Sequence, residues 1–237
     1  MTHFRVCRWA AWAPGLETQE AWKAWLGAPT WPLPAAEGVA PLAEVPAMTR
    51  RRIDPLGRAA LQVAWWVQGA EPTGPVVFTS RWGEIARSVG LLRQLSQDEA
   101  LSPTAFSLSV HNASSAVYSI ARGDTANYAA ISAGPASAAA GVCEALGLLA
   151  QGEPQVLVVS VEAPLPEPYQ GFESHPGPLR AWAVLLESAE RGLSLRARAP
   201  SAEADEAGLP SDLATLHFLA GDAPQLRQSG WLWIRHA

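Results

Sequence analysis

The chain has 237 residues, of which 49% are hydrophobic and only 16% charged, against about 25% charged in an average soluble domain. That length buries a full core in one domain, or at most two, without disulfide or metal staples, so Cys7 and Cys143 fit a reduced, cytoplasmic setting. A net charge of −5, from 17 basic and 22 acidic residues, argues against an affinity built on clustered positive charge, and so against nucleic acid as a partner.

Met1 to Gly15 carries no continuous apolar run and does not read as a signal peptide. Without a secretory context, the sequon Asn112-Ala113-Ser114 loses its glycosylation reading. Phe4 to Trp12 predicts a first strand, and Glu17 to Trp25 a short helix with Trp22 and Trp25 on one face. Residues 27 to 47 hold five prolines and read as a loop. Asp54-Pro55 is a helix start, because Asp accepts from free first-turn amides and Pro loses nothing at the first helical position. That helix runs to about Val67, with Leu56, Ala59, Ala60, Val63 and Trp66 or Val67 facing a core. Pro75 to Thr79 reads as a buried strand, Glu84 to Leu95 and Ser114 to Ala121 as helices, and Ala126 to Ser132 as a strand of small residues.

From Ala136 to Gln151 the pattern is helical and apolar on nearly every side, which predicts a helix buried in the middle of the molecule. The wider stretch Ala126 to Ala150 is too rich in Ala, Ser and Gly, with Glu144 inside it, to span a bilayer. Gln155 to Val161 reads as a strand covered on both faces. Ala181 to Glu187 follows as a buried strand, and Leu193 to Ala199 as a strand whose wet face carries Ser194, Arg196 and Arg198. Residues 200 to 212 are acidic and irregular, and Gly230 to His236 is a closing strand covered on both faces. The alternation of strands and helices places the chain in the α/β class, a sheet covered by helices.

Few chemistries fit these residues. Lys23 is the only lysine, so a Walker phosphate loop is absent and a Schiff base has one surface candidate. No Gly-x-Gly-x-x-Gly follows a predicted strand, and the two cysteines lie far apart with no histidine at ligand spacing. His3, His111, His175, His217 and His236 show no metal-site spacing either, and His111 alone stands in a segment of interest. No cofactor or metal is implied. Ala130-Ile131-Ser132-Ala133-Gly134 departs from the hydrolase elbow Gly-x-Ser-x-Gly at one position, and Asp205 or Asp212 and then His217 follow in triad order. The competing reading makes Ser132 a small residue at a tight corner under a helix. Cys143 sits about two turns inside its helix, beyond the reach of the helix dipole, and reads as a packed core cysteine. Arg50-Arg51-Arg52 is either a solvated charge run or a contact for an acidic carrier protein or a phosphopantetheine phosphate. Ser102 to Phe106 and Ser109 to Ala113 form a polar and aromatic stretch between apolar elements, the kind of loop that carries function.

Several of these segments stand together in a familiar order. Met48-Thr49-Arg50-Arg51-Arg52 with Leu56-Gly57-Arg58-Ala59-Ala60, then Ser102-Pro103, Phe106 and His111-Asn112, then Ser132-Ala133-Gly134-Pro135 before the apolar helix, resemble the N-terminal half of β-ketoacyl synthases of the thiolase superfamily. The resemblance implies a thiolase-like half-fold across a single domain, residues 1–237, with a mixed sheet, flanking helices and a central buried helix. Counted back from Gly152-Glu153, the family's nucleophilic cysteine falls at or beside Pro135, and the half that holds its two histidines is missing; His175-Pro176-Gly177 does not supply it. Such a chain resembles the small chain-length-factor subunits of aryl polyene and related pigment pathways. That likeness implies no catalysis of its own, pairing with a full-length β-ketoacyl synthase, a carrier-protein partner touching Arg50, Arg51 and Arg52, and a product tunnel at the interface. It further places Phe106, His111, Asn112, Tyr118, Ser132 and Pro135 at tunnel or interface, and makes Ala126 to Ser132 the strand that pairs across the pseudo-two-fold. The 11 tryptophans and low charge agree with an aromatic surface that needs covering. A serine hydrolase using Ser132 and a stand-alone thiolase-fold binding protein remain as alternatives.

Overall fold

Strands with apolar residues at every position need cover on both faces, and the computed structural model, which describes residues 2–70, 74–198 and 208–236, supplies it with two helical layers. In chain order the elements are β1 (His3–Trp12), α1 (Gln19–Gly27), α2 (Ala47–Arg50), α3 (Pro55–Gln68), β2 (Val76–Thr79), α4 (Ile85–Ser96), α5 (Pro103–Ser107), α6 (Ala113–Arg122) and β3 (Tyr128–Ile131). After these come α7 (Ser137–Ala150), β4 (Val156–Glu162), a 3-10 helix (Glu167–Phe172), β5 (Arg180–Ala189), β6 (Leu193–Ala197), α8 (Ser211–Ala220), β7 (Gln225–Gln228) and β8 (Trp231–Arg235).

The strands form one mixed sheet in the order β3-β2-β4-β5-β1-β6-β8-β7. β2 runs parallel to both β3 and β4, and the remaining pairings are antiparallel. Alternation along β4 sends Val156 and Val158 to one face and Leu157 and Val159 to the other. The first face packs on α1, α7 and α8, where Trp22, Val142, Leu216 and Trp233 are buried. The second packs on α3 and α6, where Leu61, Val63 and Tyr118 are buried.

Local chemistry starts the helices where the sequence says it should. Asp54 Oδ1 accepts from Gly57 N at 2.9 Å, capping α3 with Pro55 in its first turn. Thr18 caps α1 through Ala21 N at 3.2 Å, and Trp22 and Trp25 face inward from it as predicted. Of the two candidates at the end of α3, Val67 is buried and Trp66 lies outside.

Four expectations change. α8 and β7 carry no clear sequence signal, so the stretch read as irregular in fact ends inside a helix at Ser211 and Asp212; Asp205 lies outside the described residues. Ser194 is buried and hydrogen-bonded to His236 Nε2 at 2.8 Å, not wet. In β8 only Trp233 is buried, because β8 lies near the end of the sheet, where helical cover thins. Finally α7, apolar almost all round, covers the sheet with one side and leaves Cys143, Glu144 and Gly147 exposed. Cys143 is therefore not a core cysteine.

The seat of α7 on the sheet depends on one missing methyl. A Cβ at Gly141 would lie 2.1 Å from Thr79 Cγ2 on β2. Gly141→Ala is expected to destabilise the chain by about 1–3 kcal/mol through overpacking, read from urea denaturation. Adding Thr79→Ser, which removes that methyl, is expected to restore most of the loss, and an additive double variant would contradict the contact.

Candidate functional site

The parallel strands β2, β3 and β4 end on one side of the sheet, the side where open α/β sheets place ligands. There β3 turns into α7 over five residues, Ser132 to Ala136. The left-handed residue of the turn is Gly134, at φ +57°, where a side chain would be strained. Ser137 Oγ fastens the corner, donating to Gly134 O at 2.7 Å and accepting from Ala133 N at 3.0 Å. Pro135 O accepts from Ser229 Oγ at 3.4 Å and also from Ser211 Oγ, which ties the corner to α8 and to the β7–β8 turn.

A cavity of about 340 Å³ opens beneath this corner. Its walls come from Arg81 and Trp82 after β2, Pro135 and Ala138 at the head of α7, Glu162 at the end of β4, and Asp212 and Gln228 opposite. Its charges are handled in two ways. Arg180 and Asp212, both nearly buried, form a two-pronged ion pair, Nε to Oδ2 at 2.7 Å and Nη2 to Oδ1 at 2.9 Å. Glu162 accepts from Arg81 N at 2.7 Å, yet burial, with the Asp212 charge adding to it, pushes its carboxyl up to about 8.

Trp82 also lines a second, more apolar cavity of about 370 Å³, shared with Leu56, Ile85, Ala163 and Pro164. A carboxyl pair borders it. Burial and hydrogen bonding to Asp54 push Glu84 up to about 9; Asp54 is held below its usual range, the cost of its burial being outweighed by its bonds to Glu84 and Gly57 N and by Arg87. One proton thus serves both carboxyls, with Arg87 Nη2 3.1 Å from Asp54 Oδ2 and Ser114 Oγ donating to Glu84 Oε1 at 3.3 Å.

The residues singled out by sequence divide into three groups. Ser132 and Pro135 stand at the corner, with Ser132 Oγ donating to Arg81 O at 3.0 Å. Phe106, 65% exposed, and Asn112 are on the outer surface, and His111 is half-buried with Nε2 2.9 Å from Ser80 O. Tyr118 lies in the core, packed edge-on against Trp65 and Phe78, with its hydroxyl donating to Gln68. Arg50, Arg51 and Arg52 sit on the short α2 and the turn after it; Arg51 and Arg52 are exposed, while Arg50 Nη1 donates to Leu42 O at 3.0 Å. The hydrolase arrangement finds no support. Ser132 lacks the left-handed backbone of an elbow, Asp212 is committed to Arg180, and no hydrogen bond among the described residues joins Ser132 to His217. No group of metal-ligating side chains occurs among the described residues. Partial burial and Glu144 hold the Cys143 thiol above its ordinary value, so it is no ready nucleophile.

Arg180, Glu162, Gln228 and Glu84 escaped the sequence reading. The available signals were an arginine opening the apolar run of β5 and a glutamate closing that of β4, since strands buried on both faces rarely hold a charge without a partner. Exposed apolar side chains, meanwhile, recur along the stretch of chain from α4 to β3: Leu92, Leu95, Leu101, Phe106, Val110, Ile120 and Tyr128. β3 itself pairs only with β2, leaving its other edge unpaired among the described residues.

Two outcomes follow from the buried charges. Asp212→Ala strands Arg180 and is expected to cost about 3–5 kcal/mol in urea denaturation, whereas the apolar pair Arg180→Met/Asp212→Leu is expected to lose much less. A carboxyl whose folded pKa is raised favours the fold at low pH and loses that contribution as pH climbs toward the folded value. Stability is therefore expected to fall between about pH 4.5 and pH 9, and to fall less in Glu84→Gln; an unchanged slope in thermal melts across that window would remove the carboxyl pair as its source.

No helix among the described residues is long and apolar enough to cross a membrane. No curated protein matches the sequence. Among solved structures, a chain of the ketosynthase (ApeO) in complex with its chain length factor (ApeC) from Xenorhabdus doucetiae is similar at 31% identity and a TM-score of 0.83, over 99% of this chain and 100% of that one. The ishigamide ketosynthase/chain length factor matches at 16% identity and TM-score 0.65, over 82% of this chain and 67% of that one. A β-ketoacyl synthase from Burkholderia phymatum STM815 matches at 13% identity and TM-score 0.63, over 83% of this chain and 65% of that one; these two likenesses are of fold. The family described as the N-terminal domain of β-ketoacyl synthases matches residues 22–234, nearly the whole of the mixed sheet with its helices and the corner at the head of α7, and the chain belongs to that family, with the thiolase-like half-fold its sequence resembled.

Proposed function

We propose that this chain is a chain length factor: a non-catalytic subunit that pairs with a full-length β-ketoacyl synthase and shapes the tunnel in which an acyl or polyene product grows, in type II fatty acid or polyketide-like (aryl polyene) biosynthesis. The observation that carries this reading is the end-to-end match to one chain of a ketosynthase–chain length factor complex, against a match to only 65% of the Burkholderia synthase. The corner where the family's nucleophile is expected holds Pro135, which has neither a nucleophilic side chain nor an amide proton for an oxyanion. In this reading the whole chain, 1–237, is one domain acting in the cytoplasm, and the synthase partner supplies the catalytic groups.

Two surface features support a partner. Among the described residues one edge of β3 has no strand beside it, and natural proteins keep such edges short, charged or covered. The exposed apolar side chains of the preceding chain and of β3, among them Phe106, Val110, Ile120 and Tyr128, are the kind that an interface covers. Phe106, His111 and Asn112 then lie at the interface, Ser132 and Pro135 at the blind end near the vacated catalytic position, and Tyr118 holds α6 in place from within. Arg51 and Arg52, exposed beside Arg50, offer cations to an acidic acyl carrier protein.

Co-expression with its full-length β-ketoacyl synthase, followed by size-exclusion chromatography and mass determination, is expected to yield a stoichiometric complex. Phe106→Glu is expected to break that complex without shifting the thermal melt of the chain alone, and Ala116→Trp to shorten the product if that face of α6 lines the tunnel. A stable monomer that elutes apart from the synthase would overturn the subunit assignment and favour a stand-alone binding protein.

A further inference from the structure

Three of the partly exposed indoles of this chain are covered by an arginine: Arg81 stands over Trp82 at 4.8 Å, Arg122 over Trp65 at 4.9 Å and Arg180 over Trp31 at 5.1 Å from the ring centre. Such contacts are attractive because the face of the ring is negative and the guanidinium positive. Trp9 on β1 and Trp66 near the end of α3 are also partly exposed, Trp66 to 41%. Among the described residues, however, no arginine or lysine stands over either ring, and neither is paired with another aromatic ring. Instead the two line one cavity of about 380 Å³, together with Ala10, Glu17 and Gln19. β6 meets β1 only at Phe4, so among the described residues no strand flanks Trp9 and Ala10 on the side away from β5. Glu17, just before α1, is the one charged residue in the lining. It forms no ion pair among the described residues, and backbone comes so near it that a Cβ at Gly38 would stand 3.3 Å from its Oε1.

We infer that this cavity binds a small quaternary ammonium compound, its cation between the indoles of Trp9 and Trp66 and its charge answered by Glu17. Two aromatic groups and a lone carboxylate, with no cation among them, make a site for positive charge. The lining is also poor in hydrogen-bond acceptors, since Trp9 O already accepts from Gln19 Nε2 at 3.3 Å. A primary ammonium brings three donors that need partners there, whereas a fully methylated one brings none and loses less on leaving water. About 380 Å³ lies at the small end of ligand pockets, room for a trimethylammonium head with a short tail. The site draws on β1, α3 and the start of α1, shares no residue with the cavity at the head of α7, and stands whether or not the chain pairs with a synthase.

Calorimetric titration of the full chain, alone or in whatever complex it is purified, with choline tests this. Saturable binding is expected, at least about tenfold tighter than for the neutral isostere dimethylbutanol, in which a tert-butyl group replaces the trimethylammonium. Trp66→Leu is expected to weaken choline by about tenfold with the thermal melt unchanged, because Trp66 lies outside the core. Glu17→Gln, at an exposed position, is expected to weaken choline and to flatten its dependence on salt, and it decides the matter if Trp66→Leu lowers the melt. Loss in these variants also separates this site from any site on a bound synthase. No saturable heat, equal affinity for the neutral alcohol, or choline binding indifferent to both substitutions would each overturn the assignment, as would association with phosphatidylcholine vesicles by a chain that does not bind free choline.

Discussion

Everything at the functional end of the molecule hangs on how closely α7 sits against the parallel strands. Gly141 lets the helix backbone rest on Thr79 of β2, with no room for a methyl between them. That approach fixes the height of the helix above the sheet and so the length of the turn that joins β3 to it. Five residues suffice, Gly134 takes the left-handed conformation, and Ser137 locks the loop from inside. The head of α7 is then held over the ends of β2 and β4, and the space below it becomes a cavity instead of a packed seam.

The same region shows how a nearly charge-free chain manages the charges it buries. One arginine and one aspartate cancel in an ion pair of short bonds, one glutamate has its carboxyl pushed up by burial, and a second pair of carboxyls divides a single proton beside an arginine. Each solution removes net charge from the interior, and each works only through residues distant in sequence.

The surface is equally lopsided. α3 and the strands bury most of their apolar residues on both sides of the sheet, while α4, α5, α6 and β3 leave leucines, a phenylalanine, an isoleucine and a tyrosine exposed, and β3 is the last strand of the sheet among the described residues. Natural proteins blunt or cover both an exposed strand edge and exposed apolar side chains.

By itself the sequence determined the local structure wherever periodicity and capping chemistry agree: Asp54-Pro55 opening α3, the alternating residues of β4, the inward tryptophans of α1, and the ordered motifs from Arg50 to Pro135 that carry the family. It was silent on α8 and β7, whose short patterns gain order only by packing against α7 and β8, and it misjudged α7, because an all-apolar composition records what a helix could bury, not how many of its sides meet a neighbour. The cavity was illegible for a stronger reason. Arg81, Pro135, Glu162, Arg180, Asp212 and Gln228 share no spacing, and the rise of the Glu162 carboxyl comes from burial and from the charge of Asp212, fifty residues away. Only the crossing of β2, β3 and β4 beneath one helix end, and the return of β7 and α8 to that end, bring them around one cavity, so the chemistry of the site is a property of the topology.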